Sequence, residues 1–449
     1  MAGSPYALFT GIPLIGHVNP LLRQAEELQR RGWRVAFAGA SDVAAHVSAE
    51  TPGVPFVDLG PLGPIAARLR EAEARASADP DFIGGTRRIV DAVLTVWPLM
   101  FDGLVAAIGR DRPDIIVVDL FSSAGMAAAE TAGLPFVVNN PDLLGALSVK
   151  LLPPADDLPF LFSGRSIHEV GWGQRLVAPF LRRAAVLFTS ITVGRALNAF
   201  RASRGLAPVD IHEMLRDRLI LVNGAFGLEY RRPLPPNVEM VGPMLPPEMP
   251  QLPADLEGWL TDGPPVVYAN LGTLAVASAT QLEKMVQAFT SDEFRVLWIL
   301  KAAQQALLPV PLPPGLRVIA WGPPPVAVLR HANVNVFVSH CGINSAHESL
   351  VAGTPIVGIP MLADQRDMAV RVADAGAGVW VDKRSFTADD LRAAILRVLR
   401  DETFRANLPA VQEAIAAAGG VRRAADLIEG AAAAPRAQAA PPRAAASPA

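Results

Sequence analysis

The chain has 449 residues but a single cysteine, Cys341, so it has no internal disulfide framework. Its charges nearly cancel, with a formal net charge of −3, which argues against a nucleic-acid-binding surface. The seven histidines show no HExxH spacing, and one cysteine cannot build a thiolate zinc site. P-loop and GxGxxG motifs are also lacking. We therefore predict no metal and none of these cofactor sites.

Long uninterrupted apolar runs are also missing, because none reaches the roughly 18 residues of a membrane span. Phe82 to Ile108 comes closest in length, but charged residues and Pro98 interrupt it. The segment Met1 to Pro5 lacks the basic start of a signal peptide. We expect a soluble, cytoplasmic protein without stable membrane insertion, and weak attachment to a membrane surface stays open.

What the chain does have is a regular alternation of strand and helix signals. The alternation runs from Tyr6 to about Phe136 and again from Val266 to about Val381, which predicts two α/β domains with mostly parallel sheets. The predicted boundaries are residues 1–235 for the first domain, 236–255 for a proline-rich linker and 256–430 for the second domain. Residues 431–449 are rich in Ala and Pro, and we expect them to be disordered.

One strand, turn and helix in the second domain is suited to binding a diphosphate. Val334 to Val338 is a β-branched and aromatic run that predicts a strand, and Ser345 to Ala352 predicts a helix ended by Gly353. Gly342 in the turn lets the backbone come close to a ligand. The free amides and partial positive charge of a helix start favour phosphate groups.

Polar side chains surround this turn. His340, Asn344 and Ser345 offer donors, and Glu348 lies one helical turn further on, where its carboxylate can accept ribose hydroxyls. Asp364 and Gln365 follow the next predicted strand and can bind sugar hydroxyls. Together these groups predict a site for a nucleotide sugar.

The first domain supplies a candidate base. Tyr6 to Thr10 predicts a strand, and Asn19-Pro20 predicts the start of a helix, so His17 is expected on the loop between them. Asp119 ends a second predicted strand. Ligands of open parallel sheets lie beyond the carboxyl ends of the strands, so the two side chains could meet. A histidine whose ring is held by a carboxylate is suited to taking a proton from a hydroxyl nucleophile.

The segment from Trp321 to Gln365 resembles the donor-binding signature of the UDP-dependent glycosyltransferase family. The resemblance implies the GT-B fold, in which two Rossmann-like domains face each other across a cleft, and a UDP-sugar as co-substrate. It implies that Trp321 stacks on uracil beside Gly322, that the turn around Gly342 holds the diphosphate, and that Thr273 lies in a similar Gly-Thr loop. GHVNP and Asp119-Leu120-Phe121 resemble the family's catalytic segments, which makes His17 the base and Asp119 its partner.

Three positions depart from the family pattern. The family's Trp-x-Pro-Gln is Trp321-Gly322-Pro323-Pro324-Pro325 here, which lacks the glutamine and appears one residue longer. The family's second tryptophan is Ile343, and an asparagine often found three residues after the Asp-Gln pair is Met368.

These features predict an inverting, metal-independent transferase that moves a hexose, with glucose preferred, from a UDP-sugar to a hydroxyl of a lipophilic natural product. The apolar, proline-containing segment from Leu143 to Phe180 is the expected acceptor wall. Two alternatives remain, a nucleotide-sugar epimerase and a non-catalytic sugar-nucleotide-binding partner protein. Asp79-Pro80-Asp81 formally resembles a metal-binding DxD motif, but its polar context favours a helix cap. A monomer and a homodimer are equally compatible with the sequence.

Overall fold

The structure, a computed structural model, describes residues 4–79, 82–147, 150–246, 248–273 and 275–434, without the side chains of residues 82 and 83. Each half of the chain builds one parallel sheet covered by helices. Parallel strands are buried on both faces, which explains their nearly continuous Val, Ile and Leu content.

The first domain contains a seven-stranded sheet in the order β3-β2-β1-β4-β5-β6-β7. Its strands are β1 Tyr6–Thr10, β2 Arg34–Gly39, β3 Phe56–Asp58, β4 Ile115–Asp119, β5 Phe136–Asn140, β6 Ile220–Val222 and β7 Val238–Met240. Its helices are α1 Ile15–Arg30, α2 Ala44–Glu50, α3 Pro64–Ala78, α4 Phe82–Leu94, α5 Trp97–Arg110, α6 Ser123–Thr131, α7 Trp172–Thr189 and α8 Arg195–Ala202. A π-helical turn, Ser190–Gly194, joins α7 to α8 without a break.

The second domain contains a six-stranded sheet in the order β10-β9-β8-β11-β12-β13. Its strands are β8 Val266–Asn270, β9 Arg295–Ile299, β10 Leu316–Ile319, β11 Val334–Ser339, β12 Ile356–Gly358 and β13 Gly378–Trp380. The remaining helices are α9 Ala254–Thr261, α10 Ala279–Phe289, α11 Ala302–Gln305, α12 Pro325–Leu329, α13 Ile343–Ala352, α14 Gln365–Asp374, α15 Ala388–Arg400, α16 Thr403–Ala417 and α17 Gly420–Ala433.

Both sheets reverse their strand order at an equivalent place. The reversal lies between β1 and β4 in the first domain and between β8 and β11 in the second. At such a point the connections leave toward opposite sides and open a crevice beyond the carboxyl ends of the strands. The expectation of two Rossmann-like domains is confirmed, and each domain brings one crevice to the shared cleft.

The domain boundaries differ from the predicted ones at the end of the first domain and at the end of the second. The first sheet extends past residue 235, because β7 pairs with β6 in parallel register. Helix α17 lies after the second sheet in the chain but packs on α1 of the first domain, where the Trp33 indole donates to Glu429 at 2.9 Å. Arg31 forms ion pairs with Asp426 and Glu429. Residues 435–449, most of the predicted tail, lie outside the described residues.

The start of α1 corrects a prediction. Asn19-Pro20 was expected to begin the helix, but α1 begins at Ile15, so Pro20 lies inside it and His17 lies in its first turn. Pro20 is the sixth residue of the helix, beyond the first turn in which proline is well accommodated, and it removes one backbone donor. The Gly16 carbonyl, in the turn that carries His17, is therefore left without its helical donor.

Phe82 to Ile108, the apolar stretch noted in the sequence, does not form the longest apolar helix. Phe82 to Ile108 falls on the two helices α4 and α5, and the parts Gly84–Leu94 and Trp97–Arg110 are bent by 40°. Among the described residues, the helix with the length and composition to cross a membrane is Trp172–Ala202, and little of it is buried.

Candidate active site

His17 and Asp119 form a direct pair at the carboxyl ends of β1 and β4. The Nδ1 atom of His17 lies 2.9 Å from Oδ2 of Asp119, whose side chain is fully buried. The backbone N–H of Phe121 donates to the other Asp119 oxygen, and the Phe121 ring meets the imidazole edge to face. The carboxylate therefore fixes the ring and leaves Nε2 for a ligand in the cleft.

Two further carboxyl groups, Asp142 and Asp364, act on this pair. Burial lowers the pKa of His17, but the charge of Asp119 and, to a smaller extent, those of Asp142 and Asp364 raise it to about 9. Burial and the nearby Asp142 raise the pKa of Asp364 to about 8, and burial also raises that of Asp142. The free site therefore favours a protonated imidazole, whereas a base must be neutral. His17, Asp142 and Asp364 influence one another's pKa and titrate together.

The cluster predicts an alkaline pH optimum. A base works only when deprotonated, so kcat/KM should rise with pH until the pKa of His17, about 9, has been passed. Asp142→Asn removes one negative charge that favours imidazolium, so the rising limb should move to lower pH. Rates measured between pH 6 and pH 10, from about three units below that pKa to about one unit above it, test this. If the rising limb of the pH profile stays at the same pH in Asp142→Asn, the role given to Asp142 is contradicted.

The start of α13 forms the centre of the second crevice. Its first helical hydrogen bond runs from the Ala346 N–H to the Gly342 carbonyl, which leaves the earlier amides for a ligand. His340 packs beneath this turn between two glycines, and no group among the described residues hydrogen-bonds its Nδ1 atom. Burial lowers its pKa to about 4, so the ring is neutral. Backbone amides, the helix dipole and a neutral imidazole together can bind a diphosphate.

Asn344 joins the two crevices. Its side-chain amide donates to the Gly16 carbonyl of α1 at 2.9 Å. In a regular helix that carbonyl would accept the N–H of residue 20, but Pro20 has none. The proline thus leaves an acceptor in the turn that carries His17, and the second domain binds it. This contact places the imidazole turn beside the start of α13.

Asn344→Asp tests this contact. The carboxylate cannot donate to Gly16 and would repel both that carbonyl and a bound diphosphate, so UDP affinity should fall about ten- to hundred-fold, corresponding to about 1.5–3 kcal/mol. Asn407→Asp is the matched control, because the Asn407 amide also donates to a glycine carbonyl, Gly376, but lies outside the cleft. Titration calorimetry with UDP should separate the two variants, and equal affinities would refute the assignment.

The outer part of the cleft has the groups expected for a nucleoside. Trp321 follows β10 and is 69% exposed, so its ring face is available for stacking. Burial raises the pKa of Glu348 to about 7, with Arg23 opposing and Glu50 adding to the effect. Arg23 itself pairs with Glu26 and Glu50 on the first domain. Glu348, the predicted ribose-binding residue, therefore lies near charged side chains of the first domain, which the sequence did not indicate.

The side chains of Asp364 and Gln365 have different hydrogen-bonding surroundings. One oxygen of Asp364 is buried without a hydrogen-bond partner and lies at the cleft, where a sugar hydroxyl could donate to it. The Gln365 side-chain oxygen instead accepts the backbone amides of Met361 and Leu362, which shapes the loop before α14. Only its amide nitrogen remains for a ligand. Met368, which stands where the family often has an asparagine, is buried in the core.

A cleft of about 1520 Å³ receives nearly all the predicted residues. The predicted residues that line it are His17, Thr273, Trp321, Gly322, His340, Gly342, Asn344, Ser345, Glu348, Asp364 and Gln365. Asp119 lies behind His17 instead of in the wall. The sequence analysis missed Asp142, although it stands two residues after β5, where the strand-end rule that selected Asp119 applies equally.

The predicted acceptor segment lies across the cleft from the diphosphate site. The lining includes apolar residues between Gly145 and Phe162, together with Trp97 and Leu94 from the first domain. Asp367 of α14 was also missed, and it accepts the backbone amides of Phe162 and Gly164. This side chain fastens the predicted acceptor segment to the second domain.

Comparison with known proteins agrees with this architecture. A family model described as "UDP-glucoronosyl and UDP-glucosyl transferase" matches residues 99–413. Demethyllactenocin mycarosyltransferase of Streptomyces fradiae is 27% identical over 93% of this chain and 85% of its own length. UDP-glucuronosyltransferase 3A1 of Bos taurus is 26% identical over 67% of this chain, and the match spans 58% of the bovine protein.

The glycosyltransferase of kitacinnamycin has a solved structure that superposes with a TM-score of 0.69 at 23% identity, covering 95% of this chain and 99% of its own. The two facing domains and this likeness define a GT-B fold. The chain belongs to the UDP-glucuronosyl and UDP-glucosyl transferase family.

Proposed function

We propose that the protein is an inverting glycosyltransferase that transfers a hexose from a UDP-sugar to a hydroxyl group of a lipophilic small molecule. One observation carries the proposal: the His17–Asp119 pair and the start of α13 open onto the same cleft and are joined by the Asn344–Gly16 hydrogen bond. A base and a diphosphate site on opposite domains are what direct displacement at an anomeric carbon needs.

In the proposed reaction His17 takes the proton of the acceptor hydroxyl as its oxygen attacks the anomeric carbon, and the bond to UDP breaks. Asp119 stabilises the resulting imidazolium. The amides at the start of α13, His340 and Thr273 receive the leaving diphosphate. A single displacement inverts the anomeric configuration. Since protein donors suffice for the leaving group, we propose that activity needs neither a metal nor another cofactor and persists in EDTA.

Glucose is the proposed sugar, on the resemblance of Asp364-Gln365 to the pair that often accompanies glucose in the family. The acidic wall formed by Asp142 and Asp364 is compatible with several sugars, and the Streptomyces fradiae relative is named for mycarosyl transfer. Calorimetric titration with UDP-glucose, UDP-galactose and a dTDP-sugar tests the choice. Tighter binding of the dTDP-sugar would overturn it.

Product analysis tests the function as a whole. The protein is offered UDP-glucose with a panel of flavonoids, macrolides, sterols and carotenoids, and mass spectrometry should detect an acceptor heavier by one hexose. NMR of that product should show an anomeric configuration opposite to that of the donor. Retention of configuration would exclude the proposed displacement.

Two other functions make different predictions. An epimerase would convert a UDP-sugar to an isomer without any acceptor, so incubation of the UDP-sugar alone distinguishes it. A non-catalytic binding protein would bind UDP but give no product with any acceptor. The intact His17–Asp119 pair favours the transferase over both.

A further inference from the structure

The outer face of α7 is an apolar surface that no element in the described part of the chain covers. Its exposed side chains recur every three or four residues, which places them on one face of the helix. We call this the outer stripe, and it consists of Trp172, Leu176, Phe180, Ala184, Leu187 and Ile191. Trp172 is 80% exposed and Phe180 68% exposed. Exposed apolar surface of this extent on one element marks an interaction site.

The opposite face of the helix contacts the first domain. Ala178 is buried, and Arg182 pairs with Asp156 at 2.7 Å. The continuation into α8 is anchored by Phe200, which packs against the rings of Trp97 and Phe101. Because one face is packed on the protein, the helix cannot cross a bilayer surrounded by lipid. It can lie flat on one, with the outer stripe toward the membrane.

The charges on the helix point to the nature of the surface it meets. The segment Trp172–Ala202 contains five arginines and no aspartate or glutamate. Arg175 and Arg183 are exposed beside the outer stripe, and within the described part of the chain no ion pair engages either guanidinium. Arg182 and Arg183 line a shallow hollow that also contains Leu187 of the stripe. An apolar face rich in Trp, Phe and Leu with a purely basic margin is complementary to anionic lipid.

A second copy of the chain fits this surface less well. In a two-fold dimer the same patch lies on both sides, so the arginines of one patch would find no carboxylate in the other. Burial of unpaired guanidinium groups is unfavourable. An anionic bilayer offers both an apolar interior for the stripe and phosphates for the arginines.

We propose that α7 is an interfacial helix that docks the protein on an anionic membrane surface. Its inner face contributes Ala185, Thr189 and Thr192 to the wall of the cleft. The helix thus separates the acceptor pocket from the membrane. Under the proposed function, on which this last step rests, a lipophilic acceptor dissolved in the bilayer would reach the pocket at this edge.

Vesicle co-sedimentation of the full chain tests the docking without any acceptor or sugar donor, so its outcome is independent of the proposed function. The chain should partition onto phosphatidylglycerol-containing vesicles and much less onto pure phosphatidylcholine, and high salt should release it. Arg175→Glu with Arg183→Glu should lower the partition coefficient at least ten-fold, since each basic residue near an anionic surface contributes about a five-fold factor. Leu176→Ser with Phe180→Ser should have a similar effect.

The matched control is Leu307→Ser with Val310→Ser, which removes exposed apolar side chains from the second domain. Calorimetry with UDP should show that all three variants keep the folded donor site. Equal sedimentation of the helix variants and the control would overturn the proposal, as would no sedimentation with anionic vesicles. The proposal would also be overturned if analytical ultracentrifugation showed self-association that Leu176→Ser with Phe180→Ser abolishes. The outer stripe would then bind a second copy of the chain.

Discussion

Replacement of His17 by alanine should lower kcat by about 10²- to 10⁴-fold, the usual contribution of a general base. The acceptor hydroxyl would then have to lose its proton to water while it attacks. UDP affinity should stay the same, because the donor groups lie on the second domain and the Gly16 carbonyl that binds Asn344 belongs to the backbone. Steady-state kinetics with calorimetric UDP titration checks both halves of this prediction.

His168→Ala is the matched control, because His168 is an exposed histidine that does not line the cleft. Its turnover should equal that of the parent chain. Asp119→Asn should lower the rate as well, since the ring loses the carboxylate that orients it and stabilises its charged form. Unchanged turnover in His17→Ala would remove this residue from the mechanism while leaving the family and the fold untouched.

Gly342→Ala should damage the donor site through a single added methyl group. A Cβ atom at this position would lie 2.4 Å from Nε2 of His340 and 3.1 Å from its Cε1, so the imidazole or the turn must move. The backbone dihedral angles of Gly342 are ordinary for any residue, so steric contact alone drives the change. A displacement of about 1 Å in a positioned site can cost about 100-fold, and we expect kcat/KM to fall by that order.

Gly109→Ala provides the comparison for Gly342→Ala. Gly109 lies in α5, and a Cβ there would meet nothing within 4 Å. The substitution should leave activity unchanged and raise stability by about 0.5–1 kcal/mol, because glycine is unfavourable inside a helix. If Gly342→Ala binds UDP as tightly as the parent chain, the turn is more adaptable than the contact distances imply.

Local sequence patterns predicted the elements of both domains well where the signal was a short apolar strand followed by polar residues. β1, β4, β8 and β11 begin at the residues predicted for them, which are Tyr6, Ile115, Val266 and Val334. The start of α1 was missed because Asn and Pro are common at helix starts, and the sequence does not show that a helix already running from Ile15 can accommodate Pro20. The same local rule was therefore right for the strands and wrong for this helix.

The long helix α7 escaped sequence analysis for a related reason. The segment predicted as an acceptor wall stopped at Phe180, in the middle of the helix. Its apolar residues were assigned to a pocket, because periodicity shows that a face is apolar but not which surface covers it. In the structure the inner face of the helix lines the cleft and the outer stripe faces away from the domain.

The sequence by itself indicated the family and the candidate donor-site residues, because strand, turn and helix start are contiguous and present their donors through local backbone geometry. Only the tertiary structure decided how the halves meet. The contact between Asn344 and Gly16, the influence of Asp142 on His17 and the return of α17 to the first domain join residues more than a hundred positions apart. Such contacts depend on the packing of whole sheets and helices, which no local pattern encodes.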